Sequence, residues 1–192
     1  MLTICIANLS PSHPRLTGAI TGEAHAQQVR KLVQKASPAE REAVILDFTG
    51  VESASASYLK RLLNPFFLPA GEPEAFKQEI APIAIGINHT DLHEDLEDYL
   101  NGKERVLILA DIVNGRTRFN KLLGRLDGAA AETFAELRKL KQSTAATLYA
   151  RHRDETTNQT AWNNRLVQLV DMRIARRSRE GRFWVYQPTV LT

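Results

Sequence analysis

Apolar and polar positions run in two rhythms along the chain, and each change of rhythm marks an element. Residues 2–8 alternate well enough for a strand. Residues 43–48 (Ala-Val-Ile-Leu-Asp-Phe), 82–87 and 105–110 are short apolar runs of the buried-strand kind. Between them the period lengthens. Ala26, Val29, Leu32 and Val33 share one face of a helix that ends near Lys35, before Ser37-Pro38. Leu59, Leu62 and Leu63 mark a second helix, opening near Ser55 and expected to stop before Asn64-Pro65. A proline-rich connection (Pro65, Pro69, Pro73) then leads to an expected short helix over 75–80. Residues 90–100 predict an acidic helix, with Asp91 and Glu94 placed where the helix dipole favours negative charge. Strands alternating with helices predict an α/β domain over residues 1–112.

Beyond residue 112 the helical rhythm takes over. Phe119, Leu122, Leu123 and Leu126 stand at i, i+3, i+4 and i+7, which predicts a linker helix over 113–127. Phe134, Leu137 and Leu140 predict another over 129–140, and residues 143–153 a third. Thr156 followed by Gln159 forms a capping box for a helix over 157–172. Trp162, Leu166, Leu169 and Val170 make its apolar stripe. The opposite face carries Thr157, Thr160, Ala161, Asn164 and Gln168, small and polar rather than charged. Two strand-like runs follow, 173–177 and 183–187. Gly181 supplies the turn between them, and Pro188 ends the second. Residues 128–192 are therefore expected to form a separate α+β domain.

Composition adds limits. The chain of 192 residues, 43% hydrophobic, suits one large or two small domains. No apolar run reaches the length of a membrane span, and Met1-Leu2-Thr3-Ile4 lacks the charged start of a signal peptide. Cys5 is the only cysteine, which excludes an internal disulfide and a thiolate metal cage and points to a cytoplasmic setting. The net charge of +3 is unevenly spread. Residues 128–192 hold eleven Lys and Arg against six Asp and Glu, a balance of +5. Residues 1–127 hold fourteen against sixteen, a balance of −2. Positive charge gathers where a polyanion partner would be met.

The order helix, turn, helix, hairpin over residues 143–188, the Arg165-Leu166-x-x-Leu169 spacing and a hairpin holding Arg173, Arg176, Arg177, Arg179 and Arg182 resemble the winged helix-turn-helix family. The resemblance implies that helix 157–172 enters the major groove of double-stranded DNA while the hairpin grips a phosphate flank. Carried over residue by residue, the DNA-contacting set is Thr157, Thr160, Ala161, Asn164 and Gln168 on the helix, with Arg176, Arg177, Arg179 and Arg182 on the wing. The plainer alternative is a small helical subdomain whose arginines keep it soluble.

Within the first domain, VILDFTGVESASASYL (residues 44–59), preceded by the helix over 23–33, resembles the STAS-like family, relatives of the bacterial anti-sigma factor antagonists. The resemblance implies a domain that receives a protein or ligand signal, or holds a homodimer together. In the antagonists a partner kinase phosphorylates a serine at the helix start, within Asp-Ser-Ser-Gly. Ser57 matches that serine, but Ser55 stands at the aspartate and Tyr58 at the glycine. The plain reading of Ser57 is a serine capping free helix amides.

Other candidates carry less. His89 and His93 are four apart, as two metal ligands on a helix would be, with no third strong ligand nearby. Asp91, Glu94, Asp95, Glu97 and Asp98 read as a solvated acidic face. Asp47 near Ser55 and Ser57 has no histidine or lysine base in its motif, and no Gly-rich phosphate loop is present. No metal, cofactor or enzymatic activity is expected. The sequence thus predicts an α/β STAS-like domain fused to a winged helix, acting as a cytoplasmic bacterial-type transcriptional regulator. The alternative is a STAS-like adaptor for an ATPase, kinase or sigma-regulatory partner, its C-terminal domain binding protein.

Overall fold

A mixed α/β sheet organises the first part of the chain in the computed structural model, which describes residues 1–11, 13–37, 42–68, 72–73, 75–77, 80–152 and 158–190. The order is β1 (Leu2–Cys5), β2 (Arg15–Leu16), α1 (Ala19–Lys35), β3 (Ala43–Asp47), β4 (Ser53–Ala54), α2 (Ala56–Phe67), β5 (Ala81–Ile85), α3 (Thr90–Asn101), β6 (Val106–Val113) and β7 (Arg116–Gly124). The main sheet runs β1-β3-β5-β6-β7, its first four strands parallel and β7 antiparallel to β6. β2 and β4 form a separate small parallel pair. Because strand order follows chain order, right-handed crossovers place the connecting helices on one face. There Ile4, Leu46, Ala84 and Leu109 lie in register across four strands and pack with Leu59, Leu62, Leu92 and Leu96 of the helices.

Ile45, Ile83 and Ile108 occupy the other face and are also buried. The β6–β7 hairpin leaves the plane of the sheet. Its ladder shifts at Leu109/Ala110, a bulge that bends the strands. The Thr117 hydroxyl then lies 3.6 Å from the sulfur of Met1, beside the strand at the opposite edge of the sheet. Flat strands would keep those edges roughly 19 Å apart, so the outer part of the hairpin curls toward the opposite edge.

Three expectations are corrected here. No linker helix exists over 113–127: Arg116–Gly124 is a strand. Asn114 (φ 52°) and Gly115 (φ 72°) form a two-residue turn with both central residues at positive φ, the hairpin geometry that Asn-Gly favours. Ladder pairing with β6 then outweighs the helical spacing of Phe119, Leu122 and Leu123. Secondly, α2 continues through Pro65 to Phe67. The proline falls in the last turn, and burying Phe66 (4.6 Å from the Phe76 ring) and Phe67 offsets the one lost bond. Thirdly, residues 75–77 and 80 are not helical; residues 78 and 79, in the same expected helix, lie outside the described residues.

The compact units divide at Arg125/Leu126. The second contains α4 (Gly128–Leu140), α5 (Ala145–Arg151), α6 (Gln159–Asp171), β8 (Ala175–Glu180) and β9 (Phe183–Pro188). Each helix has a side-chain cap: Asp127 accepts from Ala130 N–H at 2.8 Å, Thr144 from Thr147 at 3.1 Å and Asn158 from Ala161 at 2.8 Å. The cap of α6 is therefore Asn158 rather than Thr156, which lies outside the described residues. Trp162, Leu166, Leu169 and Val170 are all buried, with Phe134, Leu137 and Leu148 from the other two helices. Ser143, between α4 and α5, exchanges two backbone hydrogen bonds of 2.8 Å with Tyr186 and adds a single-residue bridge to the β8–β9 hairpin. Among the described residues no helix is long and apolar enough to cross a membrane.

Candidate nucleic-acid interface

The buried stripe of α6 fixes which of its residues face outward. Thr160 and Asn164, one turn apart, are exposed, and Ala161 is half-buried beside them. Thr157 lies outside the described residues. Gln168 continues the same row but is half-buried and engaged, its Nε2 donating to Asp127 Oδ2 at 2.9 Å. Asp127 in turn is held below the usual carboxylate range, first by the Ala130 amide and then by Gln168. The polar face open to a groove is thus shorter than the sequence suggested.

β8 and β9 pair antiparallel from Ala175↔Pro188 to Glu180↔Phe183. Gly181 (φ 60°) and Arg182 form the turn. Register assigns the side chains to two faces. Arg177 and Arg179 oppose Tyr186 and Trp184 on one; Arg176, Ser178 and Glu180 oppose Gln187, Val185 and Phe183 on the other. The Tyr186 hydroxyl donates to Asn163 Oδ1 at 3.2 Å, which turns the first face toward α6. Arg177 and Arg179 are exposed and lie over the Trp184 ring at 4.7 and 5.9 Å from its centre. Arg182 is exposed at the turn. Among the described residues, none of these three is ion-paired.

The expected arginine cluster is therefore divided. Arg176 is half-buried on the opposite face, and Arg173 is only 5% exposed. Arg173 adopts φ 63° between α6 and β8, its carbonyl accepting from the Thr189 hydroxyl at 2.9 Å. It belongs to the interior of the unit, not to a phosphate-gripping surface. Sequence reasoning missed the aromatic tip: residues 183–187 read only as a strand-like run, with no role for Phe183 or Trp184. The signal that could have found it is that a two-stranded hairpin lacks material to cover both faces out to its turn.

In the first unit, Ser57 is exposed, but it is Ser55 that caps α2. The Ser55 hydroxyl accepts from Tyr58 N–H at 3.3 Å and Gly18 N–H at 3.2 Å, and Ser57 Oγ lies 3.1 Å from it. The Asp47 carboxylate accepts from Thr49 N–H at 2.9 Å, closing its own turn. His89 stands at the start of α3 in extended backbone, and His93 lies 2.6 Å from Lys121 Nζ. Among the described residues no three His, Cys, Asp or Glu side chains converge as a metal site. Asp95, from the acidic run, accepts from Ala54 N–H at 2.8 Å and so anchors β4.

Comparison with known proteins found no match among family models, curated proteins or solved structures.

Proposed function

We propose that the chain is a DNA-binding transcriptional regulator. In this reading residues 126–192 form a winged helix-turn-helix module, and the α/β unit is a STAS-like domain that receives a protein or ligand signal or holds two copies together. The observation carrying the proposal is the hairpin face that presents Arg177 and Arg179, without ion-pair partners among the described residues, on the side of α6. The element order supports it: a helix, a one-residue bridge at Ser143, two further helices, then a hairpin. So does the +5 balance of residues 128–192.

On this reading α6 lies in the major groove. Asn164 pairs with adenine through two hydrogen bonds, and Thr160 contacts a base edge or phosphate beside it. Arg177, Arg179 and Arg182 neutralise phosphates, which positions the module without reading sequence.

The test is binding of the full chain to random duplex over a range of salt concentrations. Each neutralised phosphate contributes about −0.9 to the slope of log K against log salt. Absence of duplex binding at low salt would overturn the proposal. It would turn attention to the adaptor reading, which one observation favours: Ile20, 89% exposed, stands in a shallow groove with Ala19, Glu23, Ala24, Gln27 and Arg61.

A further inference from the structure

Two large aromatic side chains stand in water near the tip of the β8–β9 hairpin: Trp184 is 44% exposed and Phe183 66%. As neighbours in one strand they point to opposite faces. The faces differ chemically. Trp184 shares its side with the exposed Arg177 and Arg179, whereas Phe183 shares its side with Ser178, Glu180 and, farther from the turn, the half-buried Arg176. Trp184 is also held in place, because guanidinium groups at 4.7 and 5.9 Å from the ring centre are attracted by its quadrupole. An exposed indole beside two cations, with no carboxylate on the exposed part of that face, is not what phosphate gripping alone requires.

A stacked duplex offers such a ring little. Every base face along its length is covered by the neighbouring base, and uncovering one costs unstacking energy. An unpaired nucleotide avoids most of that cost. It also matches both kinds of group present, a base for the ring and a phosphate for the arginines. Resting on the DNA-binding reading above, we infer that the Trp184 face of the hairpin is a stacking site for an unpaired nucleotide flanking duplex DNA. The ligand class is a duplex with a single-stranded extension or an extruded base. The Phe183 face has Glu180 directly opposite the ring in the ladder and no exposed arginine, and it takes no part.

The experiment uses the full chain and two duplexes of the same sequence, one with a short thymine overhang and one with an abasic overhang of equal length. Both carry the same phosphates, so any difference reports the bases. The thymine form should bind about tenfold tighter. It should also quench Trp184 fluorescence, above a constant background from Trp162, which is 1% exposed. Trp184→Ala should abolish the preference, Trp184→Phe should keep most of it, and Phe183→Ala should leave it intact. Equal binding of the two overhangs by the unaltered protein, without differential quenching, overturns the inference while leaving duplex binding standing. Loss of the preference in Phe183→Ala as complete as in Trp184→Ala overturns it too. Failure to bind either DNA is a different result, and it removes the DNA-binding reading itself.

Discussion

Gln168 donates its side-chain amide to Asp127 at 2.9 Å, so a single carboxylate serves both the N-terminus of α4 and the flank of α6. The contact joins residues 41 positions apart and holds two of the three helices of the second unit in one orientation. It also removes Gln168 from the outward polar row and leaves Asn164 as the amide available to a base.

The two amides should therefore respond in opposite ways. Gln168→Ala should lower the melting temperature of the second unit while leaving DNA sequence preference unchanged. Asp127→Ala, which also removes the cap, should cost about 1 kcal/mol. Asn164→Ala should leave melting almost unaltered and lose about 1–3 kcal/mol of discrimination at one base pair. Melting curves and a binding-site selection on each variant decide the matter. A relaxed preference in Gln168→Ala, with none in Asn164→Ala, would reverse the assignment of the row.

Arg182, exposed at the hairpin turn, has a narrower role in the proposed function: a phosphate contact without base reading. Arg182→Ala should weaken binding to all duplexes alike and flatten the salt slope by about 0.9. If the variant changes which sequences are preferred and keeps the slope, the turn is reading bases.

Long periodic segments were legible in the sequence, and short ambiguous ones were not. The stripe of Trp162, Leu166, Leu169 and Val170 spans enough turns that one phase explains every apolar residue, and all four are buried. Phe119, Leu122, Leu123 and Leu126 fit a helix equally well on paper. In the strand, Leu122 and Leu123 simply fall on opposite faces of the sheet. The deciding signal stood just upstream: Asn114-Gly115 after an apolar run is a hairpin turn, and it outranks a short helical spacing. At Asn64-Pro65 the local rule was sound but was overridden by the burial of Phe66 and Phe67. For the candidate site, the wheel of α6 found the buried stripe. Of the five residues expected to face outward, Thr160 and Asn164 are exposed, Ala161 and Gln168 are half-buried and Thr157 lies outside the described residues. The wheel had no means of seeing that Asp127 reaches Gln168, or that neighbouring Arg176 and Arg177 part to opposite faces of a hairpin.

The close crossing of α1 on α2 gives a prediction in the first unit. A Cβ on Gly22 would stand 2.7 Å from the Tyr58 carbonyl oxygen and 3.0 Å from Arg61 Cβ. The nearest obstacle is backbone, so relief requires the helices to move apart. Gly22→Ala should destabilise the protein by about 1–3 kcal/mol, although alanine is favoured over glycine within a helix by about 1 kcal/mol. Urea unfolding of the full chain measures the balance. A variant more stable than the parent would mean that the two helices do not approach this closely.

The last prediction concerns acid. His25 is buried between α1 and α2, its Nδ1 2.8 Å from the Tyr58 hydroxyl. Burial disfavours the imidazolium and holds the His25 pKa below its ordinary 6.5, with a hydrogen bond to the Leu9 backbone opposing the shift in part. The same burial pushes the Tyr58 phenol up, so it stays protonated throughout the range of interest. The unfolded chain therefore takes up a proton near pH 6.5, before the folded chain does. Stability from this residue is complete above that pH and declines as pH falls toward the folded pKa, by at most about 1.4 kcal/mol per pH unit for one proton. Asp127 and Glu136, both held below the usual carboxylate range, withdraw their contributions only at lower pH. Denaturant titrations of the full chain between pH 8 and 5, roughly spanning the imidazole range, should show the decline, and His25→Gln should remove most of it. An equal slope in the parent and in His25→Gln would place the acid sensitivity elsewhere in the chain.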